Sequence, residues 1–203
     1  MERNSQITDS LSLNEPHAPV YPLIASQITN KFQIMKGVAI EVGSGPASLS
    51  IAMARITELK IYAMDISPEM YKIAGKNIAK CGFKDRILPM LADVHQMPFP
   101  DNYAHLIFSR GSMFFWKDLA SALKKIYAVL KPGGASYIGG GFGNKTTKKL
   151  VKKTFKNQEE NYESPPKIDI ATLEIAVQKA EINNYQLLDD ESGLWVLFEK
   201  NIE

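Results

Sequence analysis

Apolar residues in this chain fall into two patterns: short continuous runs, and longer stretches in which they recur every three or four positions. The first long stretch, from Val20 to Phe32, predicts a helix with one buried stripe. Further helices are predicted at 47–56, 68–80 and 118–130. The continuous runs predict buried strands at 37–42, 60–65, 86–91, 103–109 and 135–141. Strands that alternate with helices form a parallel sheet covered on both faces.

Two local signals refine this pattern. Ser67 followed by Pro68 marks a helix start, with Ser67 as the capping residue. Segment 185–200 contains two strand-like runs around a turn at 191–193, and so short a connection requires antiparallel pairing. We therefore predict an α/β fold, a Rossmann-like doubly wound sheet of seven strands, parallel except for the antiparallel C-terminal hairpin strand. Ligands of such sheets bind at the carboxyl ends of the strands.

Composition limits the organisation of the chain and its partners. A length of 203 residues suits one domain. We divide it into an N-terminal cap segment, a cofactor-binding core, a lid or insert and a terminal hairpin, at 1–36, 37–141, 142–184 and 185–203. The net charge of +2 gives little support to a nucleic-acid partner, and no apolar stretch is long enough to span a membrane. A polar N-terminus and a single cysteine predict a cytoplasmic protein.

The segment EVGSGPASLS, residues 41–50, predicts a nucleotide-binding loop between a strand and a helix. A dinucleotide fingerprint starting at Gly43 and Gly45 needs a third glycine at position 48, which is serine. Glu41 precedes the loop, and its carboxylate would repel a pyrophosphate but attract the ammonium group of a methionine. S-adenosylmethionine carries that ammonium group and no phosphate. The loop therefore favours the methyl donor over NAD.

Two further acids are placed for the rest of the same ligand. Asp65 ends the second strand, where a carboxylate can accept hydrogen bonds from both ribose hydroxyls, a feature shared with NAD enzymes. Asp93 follows the third strand and is placed to accept a hydrogen bond from an adenine amino group.

Four motifs in order resemble those of the class I S-adenosylmethionine-dependent methyltransferases: EVGSGPA, AMDIS, LADVHQMPFPDN and LKPGG. The chain is most similar to the small type 11 branch, which includes the quinone C-methyltransferases. The resemblance covers residues 37–141, and it implies S-adenosylmethionine as cofactor and S-adenosylhomocysteine as product. One departure from the family's G-x-G-x-G loop is Ala47, which replaces the third glycine.

Carried over by position, the resemblance gives each cofactor residue a role. Gly43, Ser44 and Gly45 would line the methionine part, which Glu41 would contact. The ribose and the adenine would be held by Asp65, Ile66, Asp93 and Val94. We add Ser109 and Arg110, because the segment after the fourth strand should lie under the sulfonium.

Catalytic residues stay unassigned, because methyl transfer depends mainly on positioning and needs a base only if the acceptor loses a proton. The candidates are Arg110, Tyr21 and His95. Arg110 would bind a carboxylate of the cofactor or the substrate, or else form a surface ion pair. Tyr21 and His17 precede the core and would reach the active site, or else Tyr21 would simply pack at the start of the first helix. His95 would act as a base, or would lie near the adenine without a chemical role. Three scattered histidines and one cysteine predict no metal site.

Three other features have both a functional and a structural interpretation. Phe114, Phe115 and Trp116 would wall an apolar acceptor, or two of them would anchor the core. The glycine-rich segment 138–145 would allow close approach of a backbone or a substrate, or would form a flexible hinge into the next helix. Six lysines would share one helix face, as an anionic docking site or a solvated surface, with Leu150, Val151 and Phe155 on the other side. The lysines are Lys145, Lys148, Lys149, Lys152, Lys153 and Lys156.

Together these features predict a methyltransferase that transfers a methyl group to a small-molecule acceptor by in-line displacement. Two alternatives stay open: an RNA or protein methyltransferase that docks through the lysine face, and a protein that binds S-adenosylmethionine without turnover. An NAD-dependent oxidoreductase is the weakest rival. The acceptor atom does not follow from these residues.

Overall fold

The computed structural model of the protein describes residues 19–155 and 166–202. The helices are α1 (Val20–Phe32), α2 (Ser48–Ile56), α3 (Pro68–Lys80), α4 (Leu119–Val129), α5 (Lys145–Phe155) and α6 (Ile170–Lys179). The strands are β1 (Lys36–Val42), β2 (Glu58–Asp65), β3 (Ile87–Leu91), β4 (Ala104–Arg110), β5 (Leu130–Gly141), β6 (Tyr185–Asp190) and β7 (Gly193–Glu199). Every strand and helix predicted above is present within these bounds or close to them. His17 and Lys156 lie outside the described residues.

All seven strands form one sheet in the order β3-β2-β1-β4-β5-β7-β6. Strands β1 to β5 pair in parallel, and β7 is antiparallel to both β5 and β6. The predicted seven-stranded sheet with an antiparallel C-terminal strand is thus confirmed. The direction in which the chain builds the sheet reverses between β1 and β4. A crevice at the carboxyl ends of these two strands is where such sheets bind ligands.

An apolar layer covers each face of the sheet, which explains why the strands are continuously apolar in sequence. On one face, Ile24 of α1 and Ile51 of α2 pack with Phe108 of β4. On the other face, Ile126 of α4 and Val177 of α6 pack in a second cluster. Side chains alternate between faces along a strand, so this packing sets the direction of the residues at the strand ends.

Helix α6 is not among the predicted helices, although it lies within the proposed insert at 142–184. Leu173 and Val177 of α6 are buried against the same cluster as α4, so this helix forms part of the layer that covers the sheet. The interpretation of the insert as a lid therefore concerns the residues that precede α6, and it stays a prediction. No helix in the described parts of the chain is long and apolar enough to cross a membrane.

The glycines of β5 allow the close approach expected of segment 138–145, and the neighbour is protein backbone. A Cβ atom on Gly139 would lie 2.2 Å from the carbonyl oxygen of Leu194, and one on Gly141 would lie 1.9 Å from that of Ser192. Gly140 faces the opposite side, where a Cβ would lie 2.4 Å from the ring of Phe114. These glycines let the terminal hairpin and Phe114 pack directly on β5.

Candidate active site

The loop between β1 and α2 lies at the carboxyl edge of the sheet, and three of its residues have positive φ. The φ angles of Gly43, Gly45 and Ala47 are 64°, 52° and 64°. Gly43 is required by packing as well, because a Cβ there would lie 2.1 Å from the Cβ of Ser112. Gly45 is different, since no atom lies within 4 Å of the position its Cβ would take. The loop therefore faces open space at Gly45.

Ala47 keeps the left-handed conformation that a glycine would adopt there, although this conformation costs an L-residue about 1–2 kcal/mol. Its N–H donates to the carbonyl oxygen of Ser44 at 2.9 Å, and its own carbonyl accepts from Ile51 at 2.9 Å. Alanine at this position therefore leaves the turn into α2 intact.

Glu41 points from β1 towards the start of α2. Its Oε2 accepts hydrogen bonds from the Ser50 N–H, at 2.9 Å, and from the Ser50 hydroxyl. The residue at the helix N-cap, Ala47, has no side-chain acceptor, so Glu41 supplies the cap from the strand. Only 3% of Glu41 is exposed, and this burial raises the pKa of its carboxyl to about 8 against the opposing effect of the Ser50 hydrogen bonds. Its predicted contact with an ammonium group stays a prediction.

Asp65 joins the end of β2 to the loop. Its Oδ2 accepts the N–H of Gly45 at 2.7 Å, and its Oδ1 accepts the N–H of Ser67 at 2.9 Å. Each carboxylate oxygen has a second lone pair, so Asp65 keeps acceptor capacity for ribose hydroxyls. The following residue, Ile66, is 67% exposed, which presents an apolar surface at the same edge.

Asp93 and His95 form a tight pair after β3. Asp93 Oδ1 accepts from the backbone N–H of His95 at 2.9 Å and lies 2.7 Å from its Nδ1. These hydrogen bonds, the backbone one first, lower the pKa of Asp93. The other ring nitrogen of His95 contacts the backbone of Asp118, with its oxygen at 3.1 Å and its nitrogen at 3.3 Å. His95 thus links the turn after β3 to the start of α4, and Val94 between the paired residues is buried.

The end of β4 is tied to the loop by a serine pair. The Oγ of buried Ser109 lies 2.7 Å from that of Ser112, which donates to the carbonyl oxygen of Val42 at 3.0 Å. Between the serines, Gly111 has a φ of 89° and no atom within 4 Å of its would-be Cβ, so a second opening lies here. Sequence reasoning missed Ser112, because its role depends on contacts with Gly43 and Val42, which are distant in the chain.

Arg110 points to the opposite face of the sheet from Ser109, beneath α1. Its Nε donates to the carbonyl oxygen of Gly141 at 2.9 Å, and its Cζ lies 5.2 Å from the ring centre of Tyr21 and 5.9 Å from that of Phe142. Burial raises the pKa of Tyr21, and the positive charge of the nearby Arg110 opposes this rise. Helix α1 therefore brings Tyr21 next to Arg110 and the loop.

Of the three aromatic residues after β4, Phe114 and Trp116 pack against the core under α4. Phe115 is 58% exposed. Two of the three thus pack on the core while partly buried, and Phe115 remains as a candidate for an acceptor wall.

Helix α5 differs from its prediction on the apolar side. Val151 is buried, but Leu150 is 53% exposed and does not share that side. Thr147, one turn before Val151, is buried in its place, because residues four apart share a helix face. Lys145 forms an ion pair with Glu191 at 2.8 Å, whereas the side chain of Lys152 lies outside the described residues. An anionic partner for the lysines stays a prediction.

The described residues also contain no group of three or more His, Cys, Asp or Glu side chains that could hold a metal ion.

Comparisons with known proteins agree with this architecture. The family model for a methyltransferase domain matches residues 40–138. A demethylmenaquinone methyltransferase from Chlorobaculum parvum is 33% identical over 99 residues, 49% of this chain and 39% of the relative. A ubiquinone/menaquinone biosynthesis C-methyltransferase from Neisseria meningitidis is 32% identical over 113 residues, 54% of this chain and 45% of the relative. The chain thus spans less than half the length of these curated relatives.

Among solved structures, a Methanococcus maripaludis protein described as an S-adenosyl-L-methionine-dependent methyltransferase is 36% identical, with a TM-score of 0.89 over 100% of this chain and 98% of that one. The [4+2]-cyclase SpnF shares the fold alone, at 14% identity and a TM-score of 0.69. The chain belongs to the class I S-adenosylmethionine-dependent methyltransferases. Within that class, about half of the chain is similar to part of the quinone C-methyltransferases.

Proposed function

We propose that the protein binds S-adenosylmethionine in the crevice between β1 and β4 and transfers its methyl group to a small-molecule acceptor by in-line displacement. The observation that carries this proposal is the loop at Gly45, which faces open space, has Asp65 on its backbone N–H and follows directly on Glu41. The cofactor supplies an electrophilic methyl group on a sulfonium. The protein's part is to hold the acceptor in line with it.

In this proposal each residue binds a different part of the cofactor. The loop at Gly43, Ser44 and Gly45 receives the methionine part, and its backbone has positive φ at both glycines. Asp65 holds the ribose hydroxyls, and exposed Ile66 covers one face of the adenine. Asp93 and Val94 recognise the adenine edge, and Ser109 supports the loop through Ser112.

The acceptor that we propose is a quinone or a similar flat apolar molecule. Support comes from the names of the two bacterial relatives and from exposed Phe115, which follows the opening at Gly111. Because these relatives are more than twice as long as the matched region, the acceptor needs its own test. We also propose that residues of the insert before α6 close over it.

The decisive experiment incubates the protein with methyl-labelled S-adenosylmethionine and either a demethylmenaquinone or an extract of its own organism. The extract is separated into small-molecule, RNA, protein and lipid fractions. Label in the quinone, or in another small molecule, supports the proposal. Label in RNA or protein, with activity that falls steeply as salt rises, would instead favour docking through the lysine face of α5.

A third result would point to a different class of function. If S-adenosylhomocysteine binds but no fraction is labelled, either the acceptor is absent from the extract or the protein is a cofactor-binding module. Binding is therefore measured separately, by calorimetry with S-adenosylhomocysteine.

A further inference from the structure

Helix α5 carries a concentration of positive charge that the cofactor site does not use. Five of its eleven residues are lysines, and none is acidic. In the chain as a whole, 24 basic and 22 acidic residues nearly balance. The excess of positive charge is therefore a property of this helix, and a localised excess of this kind attracts an anionic partner.

The packing of α5 fixes the direction of its lysines. Thr147 and Val151 are buried and hold the helix against the rest of the domain. Residues four apart share a helix face, so Lys145, Lys149 and Lys153 form one row, and all three are exposed. We call these three residues the lysine row.

The described residues neutralise only part of this charge. Lys145 pairs with Glu191 at 2.8 Å. No other described carboxylate lies within 4.0 Å of the amino groups of Lys149 and Lys153. Three acids that follow in the sequence lie outside the described residues: Glu159, Glu160 and Glu163. Lys149 and Lys153 therefore present charges that the described part of the chain leaves to an external anion.

An exposed apolar side chain lies beside the lysine row. Leu150, which follows Lys149, is 53% exposed. Lysines around an exposed apolar residue suit the surface of an anionic bilayer, where lysines meet the headgroups and the apolar group enters the acyl boundary. Nucleic-acid surfaces instead favour arginine and stacked aromatic side chains, and residues 145–154 contain neither. The composition of the helix thus favours lipid over RNA.

Helix α5 starts at the edge of the sheet that carries the candidate site. Strand β5 is parallel to β4, so both strands end at this edge. The carbonyl oxygen of Gly143, just before α5, accepts a hydrogen bond from the Gln27 side chain of α1 at 2.8 Å. This contact fixes the start of α5 next to α1. An apolar acceptor partitions from water into lipid, so docking through α5 would bring the site close to such an acceptor.

We propose that the lysine row and Leu150 dock the protein on the surface of an anionic phospholipid bilayer. The lysines bind lipid phosphates, Leu150 enters the interface, and the carboxyl edge of the sheet lies next to the bilayer. The docking surface itself is independent of the proposed function. Only its benefit for an apolar acceptor rests on that function.

The test is sedimentation with vesicles of phosphatidylglycerol and phosphatidylcholine in equal parts, compared with vesicles of phosphatidylcholine alone. The protein should bind the mixed vesicles selectively, and binding should weaken as salt rises. Replacing the whole lysine row by glutamine should weaken binding by about 25- to 100-fold, since each lysine contributes about fivefold. Leu150→Ser should weaken it by about 3- to 10-fold, because the apolar contact is lost.

Helix α3 offers a matched control. Lys72, Lys76 and Lys80 have the same spacing as the lysine row and are also exposed. Replacing all three by glutamine removes the same charge from another surface, so vesicle binding should stay within about threefold. Thermal unfolding and the affinity for S-adenosylhomocysteine are measured for every variant, and both should match the unaltered protein.

The outcomes separate docking from the proposed function. Equal loss in the two triple variants, equal binding to both kinds of vesicle, or no binding at low salt overturns the docking surface. Binding to polyuridylic acid but not to the mixed vesicles overturns it as well, and would make the lysine row an RNA surface. If the vesicles bind as expected but S-adenosylhomocysteine does not, docking stands while the proposed function fails.

Discussion

Two glycine-rich segments lie near the same edge of the sheet, and they serve different purposes. In the loop at 43–47 the backbone has positive φ, and Gly45 faces open space. In β5 the glycines at 139–141 are extended, and their missing side chains are replaced by the backbone of the hairpin and by Phe114. The comparison shows that absent side chains make room for a ligand in one segment and for the protein itself in the other.

The largest effect on stability is expected from adding a side chain to β5, where protein atoms already fill the space beside the glycines. Gly141→Ala would place a Cβ 1.9 Å from the Ser192 carbonyl oxygen, a backbone contact that only a shift of the hairpin can relieve. We expect a loss of about 3 kcal/mol or more in the free energy of unfolding. Urea denaturation measures it, and a loss below about 1 kcal/mol would show that β5 does not need this glycine.

Adding a side chain to the loop at 43–47 should affect cofactor binding more than stability. Gly45→Ala meets no atom within 4 Å but must adopt a φ of 52°. The conformational cost is about 1–2 kcal/mol of stability. The new methyl group occupies the space assigned to the cofactor, so the affinity for S-adenosylhomocysteine should fall by about tenfold or more. Calorimetry and urea denaturation on the same preparation separate the two effects, and full affinity would exclude Gly45 from the binding surface.

Glu41, which precedes the loop at 43–47, makes the stability of the protein depend on pH. Folding raises the pKa of Glu41 from its ordinary 4.5 to about 8, so the folded protein binds more protons than the unfolded chain between these values. This contribution is complete below pH 4.5 and is lost as the pH rises towards 8, with a slope of at most about 1.4 kcal/mol per pH unit. Glu41→Gln removes the titration while keeping an oxygen acceptor for Ser50.

The measurement is the free energy of unfolding of both proteins, without ligand, from pH 5 to 8. The stability of the unaltered protein relative to Glu41→Gln should decrease as the pH rises. A difference that stays constant over this range would contradict the raised pKa.

The smallest effect is expected at Ala47, where the loop holds an L-residue in a glycine conformation. Ala47→Gly relieves the strained φ but loses a buried methyl group and adds backbone freedom to the unfolded chain. These effects oppose each other, so the net change in stability should stay below about 1 kcal/mol. Thermal unfolding tests this, and the affinity for S-adenosylhomocysteine should not change. A large gain in affinity would mean that alanine distorts the loop.

Much of the fold was predictable, and the exception has a physical reason. The alternation of apolar runs and helical stripes predicted the sheet, and Ser67 with Pro68 correctly marked the start of α3, where the Ser67 hydroxyl accepts from Met70 at 3.3 Å. Helix α6 was missed because Ile170 and Ile175 are exposed and obscure the buried stripe of Leu173 and Val177.

The candidate site also has a part that was predictable from the sequence and a part that was not. The positions of Gly43, Gly45 and Asp65 followed from the motif order, because a loop after a strand must lie at its carboxyl end. Three contacts could not be predicted, because sequence spacing does not indicate the direction of a side chain. They are the packing of Ser112 against Gly43, the hydrogen bond from Ser50 to Glu41 and the pairing of His95 with Asp93.

The sequence by itself determined that this chain forms a doubly wound sheet with a ligand loop after its first strand, because periodicity and turn residues act locally. Only the tertiary structure decided which glycines are open and which are filled, and that Tyr21 lies beside Arg110. Both outcomes depend on segments that are distant in the chain and meet only when the core packs: the hairpin on β5, and α1 on the end of β4.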